Sequence, residues 1–180
     1  MAPSSLTPVG TEVRRFLLHE SVSFVRCATS ISGVRKIGLL GSLTTEKPEP
    51  KDIDLLVTID DDVDLTALAA AGRRLKGKAQ GRNKGADIFL ANPIGIYIGR
   101  TCSWRKCQPG IRIACRADHC GDRTFLYDDL SDLTLPEHLV NNPPIQLWPE
   151  VIRNVKVPPD VEVHLIRQLQ FPSAAGRDGA

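Results

Sequence analysis

Aromatic residues are scarce: two Trp, two Tyr and five Phe make up 5% of the 180 residues. No basic stretch of the chain interleaves with them, so the sequence offers no support for base stacking of the kind that single-strand binders use. A dominant charge is missing too. Lys and Arg total 23 against 21 Asp and Glu, a net of +2, which argues against a protein whose whole surface is a nucleic-acid footprint. No apolar run approaches the ~18 to 20 residues that a membrane helix requires. Met1 to Gly10 has neither a basic head nor an apolar stretch, so a signal peptide is not expected, and the expected location is cytoplasmic with no membrane partner. Five cysteines, an odd number, argue against a framework of paired disulfides. No internal repeat is visible. What is present, 42% apolar and 24% charged residues, describes a globular chain with room for one domain and an appendage.

Helical spacing of Val13, Phe16, Leu17, Val22, Phe24, Val25 and Ala28 predicts a helix from Thr11, its N-cap, to about Ser32, closed by Gly33. Val34 to Leu40 reads as a short apolar strand broken by Gly41-Ser42, and the proline-bearing stretch from Leu43 to Lys51 as a loop. Ile53 to Ile59 has the composition of a buried strand. Asp60-Asp61-Asp62 then leads into a helix whose inner face is Leu65, Leu68, Ala69 and Leu75. Six cations between Arg73 and Lys84 (Arg73, Arg74, Lys76, Lys78, Arg82, Lys84) read as a solvated helix end, the competing reading being a guide for a nucleic acid or the NTP. Ala86 to Ala91 is a further strand, with another expected at Ile94 to Ile98. Loops and a short helix are expected from Thr124 to Leu147, Asp128, Asp129 and Asp132 serving turns and caps. Trp104 and Trp148 read as packing anchors; beyond Pro158 the apolar pattern is lost, and Pro172 to Ala180 is expected to be frayed or disordered. The division expected is a tail at 1–10, a core at 11–100, a Cys-rich extension packed on it at 101–157, and a partly disordered tail at 158–180.

The chemistry concentrates in Gly41-Ser42, nine intervening residues, and Asp52-Ile53-Asp54. Side chains alternate along a strand, so Asp52 and Asp54 share a face while Ile53 and Leu55 turn to the core. Two carboxylates so placed repel each other unless a cation lies between them. An oxygen-only set suits Mg²⁺ or Mn²⁺. Gly41 permits a tight turn whose N–H groups, with the Ser42 hydroxyl, can donate to phosphate oxygens. Asp87, at the start of the strand after the intervening helix, is the expected third acid. It would complete a two-ion site and act as general base, or orient one.

This string resembles the nucleotidyltransferase superfamily that includes DNA polymerase beta, the kanamycin nucleotidyltransferases and the minimal nucleotidyltransferases. Gly41, Ser42, Asp52, Asp54 and Asp87 match its pattern one by one, over about a third of the chain, Val34 to Leu90. The resemblance implies an α/β (α+β) fold, with a mixed sheet flanked by helices as a polymerase-beta-like core. It also implies two Mg²⁺ ions (Mn²⁺ as a substitute), an NTP substrate such as ATP, and transfer of a nucleoside monophosphate to a hydroxyl of a protein, RNA or small molecule. Leu43-Thr44-Thr45 stands where relatives often place an Arg or Lys, and Lys51 or Lys47 would take that role at the phosphates.

Outside that core, Cys102, Cys107, Cys115 and either His119 or Cys120 are spaced so that they can close a tetrahedral structural zinc site. Ordinary half-buried thiols are the competing reading. Two alternatives to the enzyme therefore stand: a catalytically silent member of the fold acting on a partner protein, as in toxin–antitoxin pairs, or a zinc module that docks nucleic acid or protein.

Overall fold

The computed structural model describes residues 9–105 and 123–169. Its first helix, α1 (Glu12–Ala28), begins where the cap predicts: the Thr11 hydroxyl accepts from the Arg14 N–H at 3.2 Å. Glu12 in the first turn and Arg26 in the last suit the helix dipole. Its inward stripe includes Leu17, Leu18, Val22, Phe24, Val25 and Ala28. The second helix, α2 (Thr66–Gln80), starts later than the acidic run suggests. The Asp64 carboxylate takes the Thr66 N–H at 2.8 Å, whereas Asp60 is engaged by Arg35 through two bonds of 2.7 and 2.8 Å.

The strands are β1 (Val34–Leu40), β2 (Asp52–Ile59), β3 (Gly85–Ala91), β4 (Tyr97–Thr101), β5 (Leu126–Tyr127), β6 (Ile145–Trp148) and β7 (Ile152–Arg153). They form one seven-stranded sheet in the order β5-β4-β3-β2-β1-β6-β7. The β2–β3 pair is parallel and joined by α2; the other pairings are antiparallel. The architecture is thus an α+β fold with an open mixed sheet. The strand expected at 94–98 lies later, because Asn92 to Gly95 forms a turn that leaves Ile94 74% exposed.

The two faces of the sheet differ. Ile37, Leu39, Ile53, Leu55, Val57, Ile88 and Leu90 pack under α1 and α2 in the main core. The opposite face buries a smaller cluster, Leu40, Leu56, Phe89, Ala91 and Tyr97, under Val140 of the short helix α3 (Glu137–Asn141). That cover stops short of the end where β2 and β3 begin, and there the acids emerge.

In the C-terminal half, β5, β6 and β7 extend both edges of the same sheet. Helix α4 (Pro159–Val161) continues through a π turn (Glu162–Ile166) and a 3₁₀ turn (Arg167–Leu169). Val161, Leu165, Ile166 and Leu169 are buried in the main core. Asp160, also buried, is gripped by Arg14 through Nε–Oδ2 (2.5 Å) and Nη2–Oδ1 (3.1 Å). The same guanidinium donates to the carbonyls of Lys47 (2.7 Å) and Leu43 (3.2 Å). It thereby ties α1, the loop after the Gly-Ser turn and the C-terminal helix together. Among the described residues no helix is long and apolar enough to cross a membrane.

Candidate functional site

At the start of β2 burial alternates as a one-sided strand requires: Asp52 exposed, Ile53 buried, Asp54 half-buried. The parallel ladder sets Asp54 opposite Asp87 and Asp52 opposite Gly85. Directly paired residues share a face, and neighbouring strands lie about 4.8 Å apart. Asp52, Asp54 and Asp87 therefore converge on the face away from α1 and α2. On the other flank of β2, Leu40 is the partner of Asp54, and the next residue is Gly41, which opens a 3₁₀ turn, Gly41–Thr44.

Gly41 has φ +68°, in the left-handed region, and a methyl group there would collide with the Asp54 carboxylate. Only glycine lets the bend lie against that acid. Ser42 and Thr44 sit within the turn, which is closed by the Thr45 N–H and hydroxyl on the Ser42 carbonyl (3.2 and 2.8 Å) and by the Thr44 hydroxyl on the Gly41 carbonyl (2.7 Å). Gly85 serves in the same way on the other strand, since a Cβ there would meet the Asp52 carboxylate. Lys51 is exposed just before β2, its carbonyl accepting from the Gly85 N–H at 2.9 Å.

The electrostatic consequence falls on Asp54. Burial first, then the neighbouring charges of Asp52 and Asp87, push its pKa up to about 6. The cluster is a concentration of negative charge with too little around it to balance it.

Arg100 of β4 answers part of that charge. Its Nη1 approaches Asp87 Oδ1 at 3.4 Å, and its Nη2 forms a short ion pair with Asp129, which is 3% exposed. Burial lowers the guanidinium pKa, but Asp129 and Asp87 together more than reverse this, and the net shift is upward. The Tyr97 phenol nearby is raised, by burial first and then by Asp129, with Arg100 opposing. Its buried hydroxyl has no hydrogen-bond partner among the described residues. No group of three or more His, Cys, Asp or Glu side chains among the described residues is arranged to hold a metal ion.

Arg100 and Asp129 are site residues that the sequence reading missed. Asp129 does serve a turn, its carbonyl accepting from Asp132 and Leu133 (both 2.9 Å), but its side chain reaches 29 residues back. The available signal was Arg100 itself, a lone cation at the end of an apolar strand. Trp104, expected as a packing anchor, is instead 47% exposed beside Asp87 and Arg100, whereas Trp148 does pack against the core. Of the proposed zinc ligands, Cys102 is buried at the end of β4; Cys107, Cys115, His119 and Cys120 lie outside the described residues.

Fold and site together define an α+β protein with an open mixed sheet and a carboxylate trio at one end of the face opposite its two long helices. The chain belongs to a family of unknown function (DUF6932), which its residues 7–106 match. No curated protein and no solved structure matches the chain.

Proposed function

We propose that this protein is a metal-dependent nucleotidyltransferase, with a polymerase-beta-like core, that moves a nucleoside monophosphate from an NTP to a hydroxyl acceptor and releases pyrophosphate. The observation that carries this reading is the convergence of Asp52, Asp54 and Asp87 against a bend that only Gly41 can make.

The donor set fits Mg²⁺ or Mn²⁺: oxygen ligands only, on adjacent strands, with the Asp54 pKa raised by burial and then by the charges of Asp52 and Asp87. Asp52 and Asp54 would hold the ions, and Asp87 would complete the acceptor side. When bound, such ions supply charge compensation at the triphosphate and a more acidic acceptor hydroxyl. The chain's own groups do the rest. The turn at Gly41 and Ser42 presents backbone N–H groups and a hydroxyl to phosphate oxygens. Asp87, next to a cavity of about 210 Å³ that also exposes Arg100 and Trp104, receives the acceptor's proton. Arg100, shared between Asp87 and Asp129, must yield Asp87 before the three acids can act together.

Incubation of the full chain with Mg²⁺ and each labelled NTP, over protein, RNA and small hydroxyl acceptors, tests the reading. Label transfer that is lost in Asp52→Ala and Asp54→Ala, with the fold retained, is the expected result. No turnover with any NTP and acceptor overturns it.

The grip of Arg100 on Asp87 favours one second reading, a catalytically silent member of the fold that binds a partner protein. Calorimetry separates the two, since a silent member takes up no Mg²⁺–ATP.

A further inference from the structure

Two hollows adjoin on the surface beside Asp87 and share Lys76 and Ser103. The first, about 210 Å³, is bordered by Asp87, Arg100, Trp104 and Tyr127; the second, about 260 Å³, by Arg73 and Arg105. In the second, Gly77 leaves the helix surface open, a Cβ there meeting nothing within 4 Å.

The cations along this groove are placed differently from their neighbours. Farther along the same segment, Arg82 pairs with Glu12 at 3.1 Å and Lys84 with Glu49 at 3.3 Å. Arg73, Lys76 and Arg105 have no carboxylate partner among the described residues. Arg73 donates to the Trp104 carbonyl at 3.1 Å, and Lys76 to the Ser103 hydroxyl at 3.3 Å. Neutral oxygens hold Arg73 and Lys76 along the groove. The aromatics missing from the basic run in sequence are supplied in space, by Trp104 and by Tyr127, whose ring lies 5.4 Å from the Arg100 guanidinium.

We propose that this groove binds the end of a single-stranded nucleic acid. Its phosphates lie on Arg73, Lys76 and Arg105, its last base lies against Trp104, and its terminal hydroxyl is presented to Asp87. A line of cations ending at an exposed indole is what strand binding without sequence readout requires. That the bound end is also the acceptor rests on the transferase reading above. In that step the terminal oxygen bonds to the α-phosphorus of the NTP, the bond from that phosphorus to the bridging oxygen breaks, and pyrophosphate leaves with the electron pair. The hydroxyl proton passes to Asp87.

The test is fluorescence anisotropy on the full chain, with 12-nucleotide RNA and DNA strands labelled at the 5′ end, in EDTA. Binding of either strand supports the groove. So does a plot of log affinity against log salt with a slope near −2, as about three phosphate contacts give. Arg73→Glu with Lys76→Glu should weaken binding at least ~10-fold and flatten that slope, and Trp104→Ala should weaken it at least ~5-fold. Arg153→Gln, on β7 at the other edge of the sheet, should bind as wild type. Equal binding by the double variant and wild type, or equal competition by polyglutamate of matched charge, overturns the proposal. The two readings fail separately. Strands that bind but never gain a nucleotide sink the acceptor role and leave the groove. Transfer to other acceptors with no strand binding sinks the groove and leaves the transferase.

Discussion

Asp87 stands in register with Asp54 on the parallel β2–β3 ladder, so two carboxylates share a face one strand spacing apart. With Asp52 two residues away on β2, the repulsion falls on Asp54, the half-buried member. Removing that charge should relieve it. In metal-free buffer at pH 7, Asp54→Asn is expected to be more stable than wild type by about 1–3 kcal/mol, since each pKa unit corresponds to about 1.4 kcal/mol. Thermal melting checks this, a gain of about 2–4 °C being expected per kcal/mol for a chain of this length. The same variant should lose nucleotide transfer, so its stability and activity move in opposite directions.

The pH profile follows from the same shift. The folded protein holds a proton on Asp54 up to about 6, against an ordinary 3.8. Between these values the folded state binds more protons than the unfolded one, so stability contributed by this group falls as pH rises through that window. Urea midpoints of wild type and Asp54→Asn should therefore coincide near pH 3.5 and separate progressively to pH 7, with the wild type the weaker. Mg²⁺ should narrow the gap at pH 7. A gap that is constant with pH would refute the electrostatic account.

Gly41→Ala introduces a Cβ at a left-handed residue and drives it into the Asp54 carboxylate. A destabilisation of about 1–3 kcal/mol is expected from backbone strain alone, with the collision added. Combining it with Asp54→Gly should return the collision part and leave the strain. Chemical denaturation of the single and double variants measures both.

Asp160→Ala would leave the Arg14 guanidinium, 3% exposed, without its anion. Stranding one partner of a buried pair costs about 3–5 kcal/mol, and a second change, Arg14→Met, should recover a substantial part. Breaking a surface pair such as Arg35–Asp60 should shift the midpoint far less in the same assay, because Arg35 is exposed.

The central elements were legible because each signals itself locally. Thr11 announces α1, and the apolar runs at 34–40, 53–59 and 86–91 are what strands buried on both sides look like. The acids were legible because Asp-x-Asp at a strand start can only place both on one face. Strand β6 was not. Ile145–Trp148 is four residues behind a Pro-Pro pair, and its partner β1 lies about a hundred residues earlier, with Gly38 making room for Pro143. The C-terminal helix was hidden because no sustained apolar pattern follows Pro158, although proline suits the first turn of a helix. Arg100 and Asp129 escaped because their relation exists only across strands, and the exposed indole of Trp104 because a lone tryptophan in sequence looks like core.

The pairing of β6 with β1 ties the half of the chain that carries the three acids to residues the family match does not reach. Cut after residue 106, β1 would become an outer strand, the amides and carbonyls around Ile37 to Leu39 would lose their neighbour, and the bare edge would recruit another copy of itself. The stretch shared with the family is therefore a sheet with one side unfinished. The strand that delivers the chain to the Gly41 bend keeps its line only because a distant segment returns to close it.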